Sequence, residues 1–186
     1  MDAMELLLSR ESALKLEPPG PDKAALEAIF ESAVRAPDHG RLRPWRFVVI
    51  PEERRAAFGA LMAECMHRRE PDATAEMLQR ERDKAMRAPI IVVAAARVQK
   101  GHKIPEVEQM AAAAAAAQNI MLAANAQGYG AMWKTGAPAY DATVKQALGL
   151  AADDDIVGFI YVGRQVGGGI QTPRPQAAEF VSVWGG

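Results

Sequence analysis

The chain is poor in cysteine and carries almost no net charge. Cys65 is the only cysteine among 186 residues, which excludes an intrachain disulfide and any cysteine-rich zinc or iron–sulfur site. Lys and Arg total 22, and Asp and Glu total 23, so the formal net charge is -1. Because this balance attracts neither nucleic acid nor an anionic membrane, we expect no partner of either kind, and any basic site must be local.

Segments for export or for crossing a membrane are also missing. The N-terminus has acidic residues where a secretion signal needs positive charge, and the apolar run at residues 6–8 ends at Ser9. The longest apolar stretch, residues 111–126, is rich in alanine and contains Gln118 and Asn119, so it falls short of a membrane span. The sequence therefore predicts a soluble, cytoplasmic protein.

What is present is the composition of a globular domain, with 49% hydrophobic and 24% charged residues. A chain of this length is expected to form one domain, residues 1–186, with a modest core unless a second subunit covers part of its surface. Dimer formation is therefore a hypothesis that the size of the chain already raises.

Hydrophobic spacing predicts both strands and helices. Strands are predicted at residues 45–50, 90–95, 129–134 and 156–162. Helices are predicted at residues 2–8, 22–36, from 51 onward, 72–87, 108–127 and 141–148. Because the second and fourth strands are apolar throughout, they are expected in the interior of a sheet. The prediction is an α+β fold with a mixed central β-sheet wrapped by helices.

The helix at residues 108–127 and the C-terminal tail both suggest a second copy of the chain. This helix is apolar nearly all round and must be buried, and its alanines would let another helix approach closely. Beyond Gly163 the tail is irregular, with a last strand predicted at residues 179–184. That strand could join a partner's sheet or form an edge of its own sheet, and the sequence leaves both open.

Common catalytic motifs are missing. The chain has no Walker A loop, paired-histidine zinc helix, nucleophile elbow or cysteine pair, so no metal site and no catalytic residue is predicted. Gly128-Tyr129-Gly130 begins like a dinucleotide fingerprint, but Trp133 stands where the third glycine belongs. A Rossmann-type NAD site is therefore not expected.

Four short segments, taken together, resemble a known family. They are Arg-Glu-Ser at 10–12, Arg-Ala-Pro-Asp-His at 35–39, residues 43–50, and Gly-Tyr-Gly-Ala-Met-Trp-Lys-Thr-Gly at 128–136. Their order and spacing resemble the FMN-dependent nitroreductase family over essentially the whole chain, most closely its small, YdjA-type members. The resemblance implies an intertwined homodimer with two FMN sites at the subunit interface, and a tail from about residue 164 that extends onto the partner.

The resemblance also implies an activity and a set of site residues. The activity is reduction of nitroaromatic, quinone or similar electron-poor acceptors by NAD(P)H, in a ping-pong hydride mechanism through FMN. Positions that match flavin-binding residues are Arg10, Glu11, Ser12, Arg35, His39, Ala131, Met132 and Trp133, with His39 reaching the flavin of the other subunit. A nicotinamide-nucleotide stretch matches Met121, Leu122, Ala123, Ala124, Asn125 and Ala126.

The residues by themselves permit simpler interpretations. Arg10 could be a solvated side chain at a helix end, Arg35 could complement a helix dipole, and His39 could be a polar turn residue. Trp133 could be a core aromatic, and residues 121–126 could be the middle of a buried helix.

Two departures from the family pattern bear on the cofactor. Glu11 puts an anion close to the expected phosphate, and Leu14 stands where many members have a basic residue near the N1 and O2 edge of the flavin. Stabilisation of the reduced flavin would then come from Lys134 or from a backbone amide, or it would be weaker. Two alternatives remain open at this point: a non-catalytic FMN-binding or redox-sensing module, and a flavoenzyme of the same fold with another substrate.

Overall fold

The computed structural model describes residues 2–169 and 173–185. These residues contain six α-helices and five β-strands, joined by loops and 3-10 turns. The helices are α1 (Ala3–Ser9), α2 (Lys23–Ala33), α3 (Arg55–Arg69), α4 (Ala75–Asp83), α5 (Glu106–Ala126) and α6 (Ala142–Ala147). The strands are β1 (Leu16–Glu17), β2 (Trp45–Ile50), β3 (Ile90–Arg97), β4 (Gly130–Lys134) and β5 (Asp154–Gln165). The α+β class and the positions of the four longer strands are confirmed.

Aspartate side chains fix the start of three helices. The Asp2 carboxylate accepts hydrogen bonds from two backbone N–H groups of α1, and Asp22 accepts one from Ala25 N at 2.8 Å. Asp141 accepts from the first turn of α6. Each carboxylate satisfies donors that have no partner inside the helix, which is why the chain turns helical at these points.

The sheet is antiparallel in every strand pairing of the described residues, so the expected mixed sheet is wrong. Strand β5 pairs with β3 along one side and with β4 and β1 along the other, and β3 pairs with β2. The single helix α5 joins β3 to β4, two strands that run the same way, but β5 lies between them. The hydrophobic pattern along the chain predicts that a helix connects two parallel strands. It does not reveal which other strand lies between them.

The core forms one layer on each face of the sheet. Alternate residues of β3 separate the layers: Ile91 and Val93 pack with α3, and Val92 and Ala94 pack with α2 and α5. All four are fully buried. The uninterrupted apolar run therefore reflects a strand covered on both faces, as predicted.

Helix α5 is buried on one side only. Ala116, Ile120 and Ala124 are fully buried, whereas Ala111 and Ala126 are exposed and Val107 is 72% exposed. The prediction that this helix is buried is thus met on one side within a single chain, and the other side remains partly open to solvent. Among the described residues, no helix combines the length and hydropathy needed to cross a bilayer.

The strand predicted at residues 179–184 is wrong for the single chain. Ala177–Glu179 form a 3-10 turn, and no strand follows it up to residue 185. A strand needs a neighbour to pair with its backbone, and these residues reach no edge of their own sheet. Their apolar side chains are exposed instead, with Val183 at 80% and Trp184 at 100%. Residues 170–172 lie outside the described part of the chain.

Candidate functional site

The segment that follows α1 lies directly beside β4. Ala13 N donates to Ala131 O at 3.0 Å, and Ala13 also pairs with Gly169 in an isolated antiparallel bridge. From the tail, Arg174 Nη2 donates to Arg10 O at 2.7 Å. Three regions that are far apart in sequence therefore meet at residues 10–13, where the Arg174 guanidinium lies against the backbone carbonyl of Arg10.

Glu11 directs its carboxylate into its own chain. Its Oε1 accepts hydrogen bonds from Gly169 N at 2.6 Å and from Gln165 Nε2 at 2.8 Å. Gly169 has no room for a Cβ, because that atom would overlap the Glu11 carboxyl group. Two neutral donors therefore hold this carboxylate against the tail, while its negative charge is not paired with a cation in the described residues. Glu11 positions the segment and the tail.

Strand β4 presents different side chains on its two faces. Met132 and Lys134 line an open cleft, whereas Ala131 and Trp133 pack against the layer that contains α5. The Trp133 indole donates from Nε1 to Val157 O at 3.2 Å and leaves no space for a side chain at Gly158. Strand alternation turns the Trp133 ring away from this cleft, and the match of residues 131–133 to the flavin-bordering stretch stays a prediction. The core-aromatic alternative agrees with this geometry.

The cleft has a volume of about 420 Å³, within the range typical of small-ligand sites. Its lining combines apolar and basic side chains: Ala13, Leu14, Lys15, Leu16, Met86, Arg87, Met132 and Lys134. Leu14 and Met86 are 64% and 51% exposed, which leaves apolar walls open to solvent. A flat, partly apolar ligand that carries negative charge would suit such a lining.

The three basic residues of this cleft are not equivalent. Lys15 pairs with Glu17 through Nζ and Oε1 at 2.6 Å, so its charge is compensated. Arg87 and Lys134 form no ion pair or side-chain hydrogen bond within residues 2–169 and 173–185. Sequence reasoning missed Arg87, because it ends a charge-rich helical stretch whose side chains were expected to be solvated. Its position just before a buried strand was the available signal.

Arg35 and His39 lie elsewhere on the molecule. Arg35 follows α2, and His39 begins the next 3-10 turn, where its Nδ1 contacts Glu108 Oε2 in the first turn of α5. Both side chains are exposed. Across the described residues, no hydrogen bond or ion pair links either of them to residues 10–14 or to β4. Neither residue lines the cleft described above, and within the described residues no polar contact joins them to it.

The predicted nicotinamide stretch lies in the last two turns of α5. Met121 is 2% exposed and Ala124 is fully buried, so their side chains do not face solvent in the single chain, and the nicotinamide assignment stays a prediction. Both pack against β4 and β5, as the buried-helix alternative expected. Asn125 Nδ2 donates to Tyr129 O at 2.8 Å and helps to end the helix. Leu122, Ala123 and Ala126 retain some exposure.

Burial raises the pKa of two side chains above their usual values. The pKa of Tyr161 rises to about 12, and its hydroxyl is a hydrogen-bond donor at neutral pH, as that of a free tyrosine is. Burial and the nearby Asp141 also raise the pKa of the Cys65 thiol, which is fully buried on α3 and unsuited to nucleophilic chemistry. The described residues contain no cluster of three or more His, Cys, Asp or Glu that could hold a metal ion.

The fold is similar to those of solved proteins over almost its whole length. A "Nitroreductase-like Family Protein" from Bacillus cereus aligns with a TM-score of 0.87 at 22% identity, over 100% of this chain and 97% of that one. A "putative nitroreductase in complex with fmn" from Desulfovibrio desulfuricans aligns with a TM-score of 0.76 at 24% identity, over 98% of both chains. At such low identity the likeness establishes the fold alone.

The sequence comparisons are more specific. A family model described as "Nitroreductase family" matches residues 7–164, a range that includes the segment at 10–14 and all of β4. The chain is 36% identical over 183 residues to "Putative NAD(P)H nitroreductase YdjA" of Escherichia coli (strain K12), which covers 98% of this chain and 94% of that protein. The resemblance in the motifs is thereby confirmed, and the chain belongs to the nitroreductase family.

Proposed function

We propose that this protein is an FMN-dependent oxidoreductase that uses NAD(P)H to reduce nitroaromatic, quinone or similar electron-poor acceptors. Family membership supports the reaction class, and the relative from Escherichia coli is named for NAD(P)H. The observation that carries the proposal is the cleft of about 420 Å³ where the segment at 10–14 meets β4. It joins apolar walls to uncompensated positive charge, as a flavin nucleotide requires.

The residues present suit the phosphate end of FMN. A phosphate dianion needs cations and hydroxyl or N–H donors, and guanidinium groups match its oxygens well. Arg10 and Ser12 would supply these groups, and Arg174 would add a second guanidinium from the tail because it lies against Arg10. Glu11 would hold this segment in place through Gly169 rather than touch the phosphate.

The remaining cleft residues suit a flat ring. Leu14 and Met132 would contact its faces and edges, and bound FMN would supply reversible hydride acceptance. Lys134 would offset the negative charge that a reduced flavin carries, in place of the basic residue missing at position 14. One pocket would serve NAD(P)H and the acceptor in turn, which is the ping-pong order, so no dinucleotide domain is needed.

We further propose that the working unit is a homodimer of single-domain chains, with the tail from about residue 164 on the partner. Arg35 and His39 would then complete the partner's flavin site. The outer edge of β2 is unpaired among the described residues, and the tail exposes several apolar side chains. Both features favour pairing between chains, because an open strand edge and apolar surface are costly to leave in water.

The alternative of a non-catalytic flavin module is weakened by the geometry of Glu11. It depended on Glu11 and Leu14, and the Glu11 carboxylate is turned away from the cleft and hydrogen-bonded. A flavoenzyme of the same fold with another acceptor remains an outcome of the test below.

Anaerobic rapid mixing tests the reductase proposal. We expect NADH or NADPH to bleach the visible absorption of the FMN-loaded protein, and a nitroaromatic or quinone added afterwards to restore it. Failure of both nucleotides to bleach the flavin would refute the reductase function and favour the binding module. Bleaching without restoration by either acceptor class would point to another substrate.

A further inference from the structure

A second, smaller recess of about 140 Å³ adjoins the cleft. The two spaces share Arg87 and Lys134, which form the wall between them. The recess has an apolar floor that includes Met62 and Phe159, each 2% exposed. The recess is therefore an indentation in the surface of the hydrophobic core, with two cationic side chains in its lining.

The charge of the recess is positive. Arg87 and Lys134 are exposed and form no ion pair with any other residue in the described ranges. Lys84 also lines the recess, but its ammonium group pairs with the buried carboxylate of Glu81. No Asp or Glu side chain is part of the lining. Two positive charges thus remain without a counter-charge at one small opening.

Hydroxyl groups add neutral donors to these cations. Tyr161 is only 3% exposed, yet it lines the recess, and its hydroxyl has no hydrogen-bond partner among the described residues. Because it stays protonated at neutral pH, it can donate to an oxygen placed there. Thr135 lies beside it in the lining. The hydroxyl oxygen itself reaches the surface of the recess, so it can donate to a ligand oxygen there.

We propose that this recess binds an oxyanion, a carboxylate or phosphate group carried by one of the two substrates. Arg87 and Lys134 supply its charge partners, and Tyr161 donates a hydrogen bond. The inference rests on the proposed reductase function and deepens it, because it assigns a substrate class: an acidic electron acceptor, or the phosphate groups of the nicotinamide nucleotide. The apolar floor suits an aromatic ring that carries the anionic group.

Steady-state kinetics on the FMN-loaded protein test the acceptor source. The probes are 4-nitrobenzoate and the neutral, similarly shaped 4-nitrobenzamide, compared in the wild type and in Arg87→Gln and Tyr161→Phe. We expect Arg87→Gln to lower kcat/KM roughly tenfold for 4-nitrobenzoate and to leave 4-nitrobenzamide nearly unchanged, since a charge-assisted hydrogen bond is lost. Tyr161→Phe should lower kcat/KM for 4-nitrobenzoate by a smaller factor. Arg82→Gln, an exposed position on α4, is the matched control.

The reductive half-reaction tests the nucleotide source. If Arg87→Gln slows flavin reduction by NADPH but not by NADH, the recess binds the extra phosphate of NADPH. If it slows reduction by both nucleotides equally, the recess binds their diphosphate. The flavin midpoint potential is measured in parallel. If Arg87→Gln shifts that potential and slows every substrate alike, the cation acts on the flavin, and the recess proposal is overturned.

Calorimetry separates this proposal from the reductase function itself. Titration of 4-nitrobenzoate and of inorganic phosphate into the wild type and Arg87→Gln needs no turnover. Weaker binding of either probe to the variant supports the recess even if neither nucleotide reduces the flavin. Unchanged binding of both probes, together with unchanged selectivity in both kinetic arms, would show that no oxyanion is held there.

Discussion

Asp141 joins two helices and lies beside a buried thiol. Its carboxylate accepts from Thr143 N at 2.9 Å and Val144 N at 3.3 Å, and it receives a hydrogen bond from Arg69 Nη1 at 2.7 Å. Burial by itself would raise the pKa of Asp141, but these donors and the Cys65 thiol outweigh it and hold the pKa below its usual value. The ionised form is therefore the one that stabilises the junction of α3 and α6.

This shift predicts a pH-dependent stability difference for Asp141→Asn. Asparagine keeps the helix cap and loses the charge, so we expect a loss of about 1 kcal/mol near neutral pH. Because the folded pKa is depressed, the aspartate's contribution is complete above its unfolded pKa, about 3.9, and disappears as the pH falls through the folded value. Urea unfolding at neutral pH and well below about pH 4, where the folded aspartate is also protonated, measures the difference. An equal difference at both pH values would show that the charge is not the source.

At the residue scale, short motifs pointed to the segment that contains Arg10 and Ser12, and their flavin-binding role stays a prediction. The structure shows that Ala13, the next residue, hydrogen-bonds to β4. Sequence reasoning did not propose Arg87, Tyr161 or Arg174, because strand pairing and the path of the tail bring them near this segment or the cleft. Hydrophobic spacing carries no information about either.

At the scale of elements, the contact between residues 10–13 and the tail organises the candidate site. The bridge from Ala13 to Gly169 joins the segment after α1 to the residues after β5, and Glu11 accepts from both Gly169 and Gln165. This contact puts Arg174 within reach of Arg10. The sequence indicated both segments, but not that a glutamate expected near a phosphate would join them.

Replacement of Glu11 tests that contact. Glu11→Ala leaves the Gly169 N–H and the Gln165 amide without their acceptor, so we expect about 1–3 kcal/mol of lost stability and several-fold weaker FMN binding. Glu11→Gln keeps an acceptor oxygen and is the matched control, with affinity close to that of the wild type. Thermal unfolding and fluorescence titration with FMN measure the two quantities. If Glu11→Ala binds FMN as tightly as Glu11→Gln, the segment does not depend on this anchor.

Element prediction was accurate for position and weaker for pairing. Prediction located three elements whose apolar residues form clear runs or regular spacings: the strands at 45–50 and 90–97 and the helix at 106–126. The predicted mixture of parallel and antiparallel pairs was wrong, because β5 lies between β3 and β4 and pairs with each of them in the antiparallel sense. The last strand was wrong for one chain, because strand formation there depends on a neighbour that a single chain does not provide.

At the scale of the whole molecule, the single chain leaves much apolar surface in water. One face of α5 is partly open, and large apolar side chains are exposed at both termini. Examples are Met4, Leu8, Val107, Phe180 and Trp184. Exposed apolar surface of this extent is typical of chains that associate, and with the split location of Arg10 and His39 it favours a site shared between two copies.

Subunit complementation tests the central claim that each FMN site is built from both copies. Arg10→Ala and His39→Ala should each weaken FMN binding as homodimers, roughly tenfold for the arginine and less for the histidine. The two variants are co-expressed with different tags, and the heterodimer is purified and titrated with FMN. If the two residues belong to one site across the interface, the heterodimer has one intact site and one doubly altered site. We therefore predict wild-type affinity at about half the wild-type stoichiometry. A heterodimer in which every site remains weak, or a chain that stays monomeric with FMN bound, would contradict the account.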